Sequence, residues 1–99
     1  MNRTKEVEHP YIHRAKGVCG GEPVIRGTRF TVRAVAEYVL LQGMAPEEVV
    51  REWTHLKLAQ VYDALSYYHD HQTEMERLMR ANRERVVRKK VRLHNYKAR

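Results

Sequence analysis

The sequence predicts a mainly α fold: a small helix-turn-helix-like helical domain with a short N-terminal β element and a long basic C-terminal helix or tail. Three observations carry this. Apolar residues recur at helical spacing from Val32 onward. Beyond Gly43 the only helix-disfavouring Gly or Pro is Pro46. The other four glycines all lie between residues 17 and 27, ahead of the helical part.

Residues 1 to 9 are polar and expected to be loose. Tyr11 to Arg14 suits a short strand, and Gly17 to Gly21 a turn. Val24-Ile25-Arg26 and Arg29-Phe30-Thr31 read as two extended pieces around Gly27-Thr28. Val32, Val35, Ala36, Val39 and Leu40 then fall on one helical face. Thr31 stands where an N-cap belongs and Gly43 where the helix should stop. A second helix follows, with Pro46 at its first position and Glu47 and Glu48 at the positive end of its dipole. It spans about two turns, to Trp53. A third begins near Leu58, with Val61, Tyr62, Leu65 and Tyr68 continuing the stripe. It either runs past His71 into Met75, Leu78 and Met79 or bends between Asp70 and Thr73. Helix is expected to about residue 88 and fraying beyond, where Val86, Val87 and Val91 are scattered among charges.

A chain of 99 residues suits one domain. The net charge of +7 is concentrated at one end. Residues 77–99 hold ten Lys or Arg and one acid, whereas residues 1–76 hold nine basic and eleven acidic residues. The expected division is therefore a body, 1–76, and a basic arm, 77–99. Such an arm seeks an acidic partner: nucleic acid, an acidic protein or a membrane surface. A single cysteine, Cys19, forms no internal disulfide and suits a reducing cytoplasm. There is no apolar signal segment at the N-terminus and no run long enough to span a membrane.

The stretch GVCGGEPVIRGTRFTV, residues 17–32, poses the choice between a phosphate cradle and a turn scaffold. A Walker-type loop needs a lysine and a hydroxyl opening a helix. Here no Lys-Ser or Lys-Thr pair occurs, Pro23 removes an N–H and Glu22 repels phosphate. The scaffold reading is preferred, with the glycines supplying backbone geometry. The helix PEEVVREW, the turn THLK and the helix LAQVYDALSYYHDH have helix-turn-helix spacing. On the outward face of the second of these helices, Gln60 suits an adenine and Lys57 a phosphate. Asp63 and Asp70 oppose a DNA backbone, so contacts are expected from Arg26, Arg29, Arg33 and the arm instead. The six histidines form no closed metal site; His71 and Glu74 supply only two ligands. No catalytic motif appears around Cys19, so no enzyme, metal or cofactor is expected.

The segments HPYI, GVCGGEPVIRGTRFTV and GMAPEEVVREWTHLKLAQVYDALSYYHDHQTEM resemble, in this order and spacing, the small prokaryotic family called domain of unknown function 433. The resemblance covers roughly residues 9–76. Its most specific parts are Gly20-Gly21-x-Pro23-x-Ile25-x-Gly27-Thr28-Arg29 and Ala64-Leu65-x-Tyr67-Tyr68. It implies a compact helical domain acting as the antitoxin of a PIN-like ribonuclease toxin, with operator DNA as a further ligand. Ala45 and Lys57 depart from the family's usual hydroxyl caps, each loss worth about 1 kcal/mol.

The expected function is thus to bind and neutralise a PIN-like toxin and to repress the shared operon. Arg77, Arg80, Arg83, Arg85, Arg88, Lys89, Lys90 and Arg92 would meet the carboxylates of the toxin's metal site, bidentate contacts favouring Arg. The alternative is a stand-alone DNA-binding transcriptional regulator. A third, less supported reading is RNA binding by stacking on Tyr67, Tyr68 and Tyr96. A homodimer is expected, because the faces holding Val35, Val39, Leu40, Val49, Trp53, Leu65 and Tyr68 exceed what one small domain covers.

Overall fold

In the computed structural model, residues 8–97 are described, with side chains to Arg92. Strands β1 (Ile12–His13) and β2 (Val24–Ile25) pair antiparallel, Ile12 opposite Ile25. Gly27 reverses the chain after β2 at φ 80°, an angle that a side chain would strain. Thr28 fixes the turn: its hydroxyl donates to the Ile25 carbonyl (2.8 Å) and accepts from the Phe30 N–H (2.9 Å). The second extended piece expected from the sequence contributes a single bridge, Val24 to Thr31, and not a strand.

Helix α1 (Val32–Ala36) opens as expected, with the Thr31 hydroxyl accepting from the Ala34 N–H at 2.9 Å. It continues through Glu37–Leu41 as a wider π-type turn, and Gly43, at φ 78°, ends it. Helices α2 (Pro46–Glu52) and α3 (Leu58–Asp70) lack hydroxyl caps. Each keeps the returning half of a capping box. The Glu48 carboxylate accepts from the Ala45 N–H and the Gln60 amide oxygen from the Lys57 N–H, both at 2.7 Å. The chain bends at His71 (φ −128°, ψ 44°), which separates α3 from α4 (Gln72–Lys97). The helix thus extends well beyond residue 88. No Gly or Pro interrupts it, and cations near its C-terminus suit the dipole.

Val32, Val35 and Ala36 of α1 are fully buried at the centre. Around them lie Ile12, Ile25, Val49, Leu56, Val61, Ala64, Tyr68, Met75 and Met79. Most of the apolar faces expected to drive dimerisation are consumed here: Val35, Val49 and Tyr68 are buried, Val39, Trp53 and Leu65 pack against the core, and only Leu40 is left exposed. The stripe of α3 is also rotated from its sequence reading. Val61, Ala64 and Tyr68 face inward, while Leu58 and Tyr62 are exposed.

The other covered face of α3 is polar. The segment His9-Pro10-Tyr11 straps across it. The imidazole of His9, buried, reaches Asp63 through Nδ1 (3.3 Å) and Asp70 through Nε2 (2.8 Å). The Tyr11 N–H donates to the second Asp63 oxygen at 2.8 Å. Tyr67 meets the His9 ring edge-on (5.2 Å between centroids) and stacks on His71 (4.1 Å). The Tyr68 hydroxyl donates to Glu76 at 3.1 Å and ties α3 to α4.

Two predictions follow from these contacts. Asp63 is only 12% exposed and Asp70 54%, so the bridge matters most at its Asp63 end. His9→Ala lowers the unfolding free energy by about 1–3 kcal/mol in urea titrations, and Asp70→Ala by less than about 1 kcal/mol. Equal midpoints for wild type and His9→Ala would show that the strap is not held by this ring. The second concerns alkaline pH. Burial, and then the hydrogen bond and charge of Glu76, raise the Tyr68 hydroxyl above its ordinary value of 10.0. The folded state therefore holds this proton where the unfolded chain has lost it, and stability falls as pH climbs from 10.0 through the raised value. Tyr68→Phe flattens that alkaline limb, an outcome checked by unfolding midpoints across the range.

Candidate protein and nucleic-acid interface

The helix-turn-helix pair is present as α2, a turn at residues 53–57, and α3. Part of its outward face is engaged within the protein. Asp63, Tyr67 and Asp70 lie against His9, and Gln60, the residue suited to adenine, has its amide oxygen on the Lys57 backbone. Lys57 itself is exposed at the N-terminus of α3. The acids that oppose DNA thus have a use that their sequence positions did not disclose. His9 stands more than fifty residues away, and only the tertiary fold brings it to α3.

The three arginines expected on DNA separate into two kinds. Arg26 is a clasp on the strap: its Nε donates to the Pro10 carbonyl and its Nη2 to that of Ile12, both at 3.3 Å. Arg33 is largely buried between two carboxylates, Nε to Glu22 and Nη1 to Glu37, each at 3.1 Å. Arg29 is exposed, and only its carbonyl is engaged, by the Cys19 thiol at 3.3 Å. Within the glycine-rich residues 17–27, Arg26 thus serves to hold the strap. Glu22, which would repel phosphate, is the anchor of Arg33.

The arm residues are brought together on one element. Arg77, Arg80, Arg83, Arg85, Arg88, Lys89, Lys90 and Arg92 are all exposed along α4. Among the described residues, none of them is within ion-pair distance of a carboxylate; Arg85 donates to Asn82 at 2.9 Å. By contrast, Arg14 of the body pairs with Glu74 at the start of α4. The packed part of α4 runs past Glu76: Met79 is in the core and Asn82 donates to Glu37 at 3.4 Å. At 26 residues the helix is about 39 Å long. It accounts for the 68 × 28 × 22 Å extents and the radius of gyration of 16.1 Å, against about 13 Å for a compact chain of this length.

Tyr67 and Tyr68, named as stacking faces for RNA, are occupied. Tyr67 stacks on His71 and Tyr68 is buried. Tyr96 lies outside the residues whose side chains are described. For metals, Glu8, His9 and Asp70 bring ligand atoms within 4.8 Å of one another, a group different from His71 and Glu74. Both nitrogens of His9 already bond carboxylates there. No helix among the described residues is long and apolar enough to cross a membrane.

Comparison with known proteins agrees with this architecture. A crystal structure of a DUF433 member from Anabaena variabilis ATCC 29413 superposes with a TM-score of 0.66 at 29% identity. The match covers 70% of this chain and 67% of that one. No curated protein matches the chain. The family model described as "Protein of unknown function (DUF433)" matches residues 12–68, from β1 through Tyr68 of α3. With more than half its length inside that model, the chain belongs to the DUF433 family.

Proposed function

We propose that this protein is an antitoxin that binds and neutralises a PIN-like ribonuclease toxin in the cytoplasm, with α4 as the element that engages it. The observation that carries the reading is the contrast between body and arm. Of the body's described arginines, Arg14, Arg26 and Arg33 are bound by its own groups, while Arg29 and Arg51 are exposed. The arm holds its arginines and lysines in one exposed row, with no carboxylate of the described residues to meet them. A row of guanidinium groups with unfilled donor forks suits a cluster of carboxylates, which is what a metal-dependent ribonuclease of this class presents. The repulsion within the row is relieved on binding such a partner.

A second reading, DNA binding with autorepression or as a stand-alone regulator, is favoured by the same charge and by Arg29. It draws no support from the strapped face of α3. Under this reading binding is dominated by phosphate contacts and weakens steeply with salt. Arg29→Ala then makes the slope of log affinity against log salt shallower by about 1. Arg26→Ala and Arg33→Ala act mainly on stability, since their groups hold the fold.

The decisive test compares full-length protein with a chain ending at Asn82, which keeps Met75, Met79 and the contact to Glu37. Each is added to the ribonuclease encoded beside it, and circular dichroism monitors folding. The shortened chain should stay folded and inhibit at least about tenfold less well, equivalent to about 1.4 kcal/mol. Equal inhibition by the two would move the toxin interface into the body.

A further inference from the structure

The arm is not uniformly charged. Where α4 leaves the body it carries a row of apolar side chains that nothing in the described chain covers. Leu41, on the π-type turn of α1, is 60% exposed. Val86 (43%), Val87 (58%) and Val91 (54%) follow along α4. Two depressions join here. One, of about 270 Å³, lies between the π-type turn and α4 and includes Leu41, Val86 and Val87. The other continues outward as an open face of α4, past Val87 to Val91. Arg83 and Val87 line both, so they join into one shallow trough with apolar side chains along it; Glu84 also lines its outer part, and Glu37, paired with Arg33, its inner end. Arg83 and Arg88 stand along it, and Arg80 extends the basic border towards Leu41.

We propose that this trough is the docking site for an amphipathic helix of a foreign protein, with an apolar stripe for Leu41, Val86, Val87 and Val91 and acidic residues on its flanks. The occupant is selected by charge. A second copy placing its own α4 here would set two helices rich in Arg and Lys against each other, and residues 77–99 carry ten such residues and one acid. Nucleic acid would satisfy the arginines but leave three valines and a leucine facing phosphates and water. A helix with Asp or Glu beside its apolar stripe meets both sets of groups, in the helix-in-groove manner. Two of the floor residues are adjacent valines, and the π-type turn sets Leu41 opposite them. The inference rests on reading α4 as the partner-binding element, and it adds a second determinant besides charge: apolar contact near the root of the arm.

The test uses full-length protein and three labelled synthetic helical peptides of about five turns. The first has a Leu stripe flanked by Glu. The second keeps Glu but has Gln in place of Leu. The third keeps Leu but has Lys in place of Glu. Fluorescence anisotropy should show tight binding of the first alone, weakened at least about tenfold by the double substitution Leu41→Ser/Val87→Ser. Both positions are exposed, and circular dichroism checks the fold; Val91→Ser, beyond the packed part of α4, serves if the double variant unfolds. Equal binding of the Gln peptide would reduce the site to charge, and equal binding of the Lys peptide would remove the charge selection. A dimer in light scattering that the double variant abolishes would give the trough to a second copy. A DNA duplex whose affinity falls as much as the peptide's would give it to nucleic acid. Each of these overturns the proposal. The ribonuclease assay separates it from the antitoxin reading. If the neighbouring toxin is silenced equally by wild type and double variant, the trough is wrong and the antitoxin reading survives. If the peptide behaves as expected but no toxin is silenced, the trough stands without that reading.

Discussion

The His9 imidazole sits between the carboxylates of Asp63 and Asp70, and this bridge decides where the N-terminal strap, β1 and the clasp around Arg26 lie. An aspartate as enclosed as Asp63 is costly unless its oxygens find donors. Here one oxygen takes the imidazole and the other the Tyr11 N–H. The strap is thus drawn onto a polar helix face that would otherwise be wet. From there the chain enters β1, pairs with β2 and delivers Ile12 and Ile25 to the core. Arg26 closes the arrangement from the other side by donating to the strap's carbonyls.

The same bridge changes the meaning of the helix-turn-helix. Such a pair reads DNA when the second helix has a free, donor-rich outward face. In this chain that face carries Asp63 and Asp70 and is partly covered by the His9 strap. Helix α1 lies over the inward face, where Val61, Ala64 and Tyr68 are buried. The first two turns of α4 and a little more belong to the core, and its remainder leaves it.

Charge is sorted by the same logic. Arginines that lie near body acids are absorbed: Arg33 between Glu22 and Glu37, Arg14 on Glu74. Arginines beyond Arg77 have almost no acids in their own segment to meet, Glu84 being the single one. They remain exposed, and with Val86, Val87 and Val91 they give α4 a surface of two chemistries. A lone solvated helix needs the first; the second has a use only against another apolar surface.

Local chemistry was legible in the sequence. Thr31, Gly43 and Pro46 mark helix ends because caps, positive φ and a missing N–H act within a few residues, and the structure has each in that role. The basic arm was legible too, since charge is a property of composition. Where the structure departs from the sequence reading, one physical reason recurs. The stripe through Leu58 and Tyr62 assumed that a side chain's role follows from its own helix, and the partners of Arg26 and Arg33 were equally beyond a local reading. Which face of α3 is buried depends on α1 packing against it, and which arginines are free depends on carbonyls and carboxylates brought from other elements. By itself the sequence determined the helix ends at Thr31, Gly43 and Pro46 and the charge of the arm, but not where α4 ends. Tertiary structure alone decided that Asp63 and Asp70 meet the His9 imidazole, because a contact spanning more than fifty residues has no local periodicity to betray it.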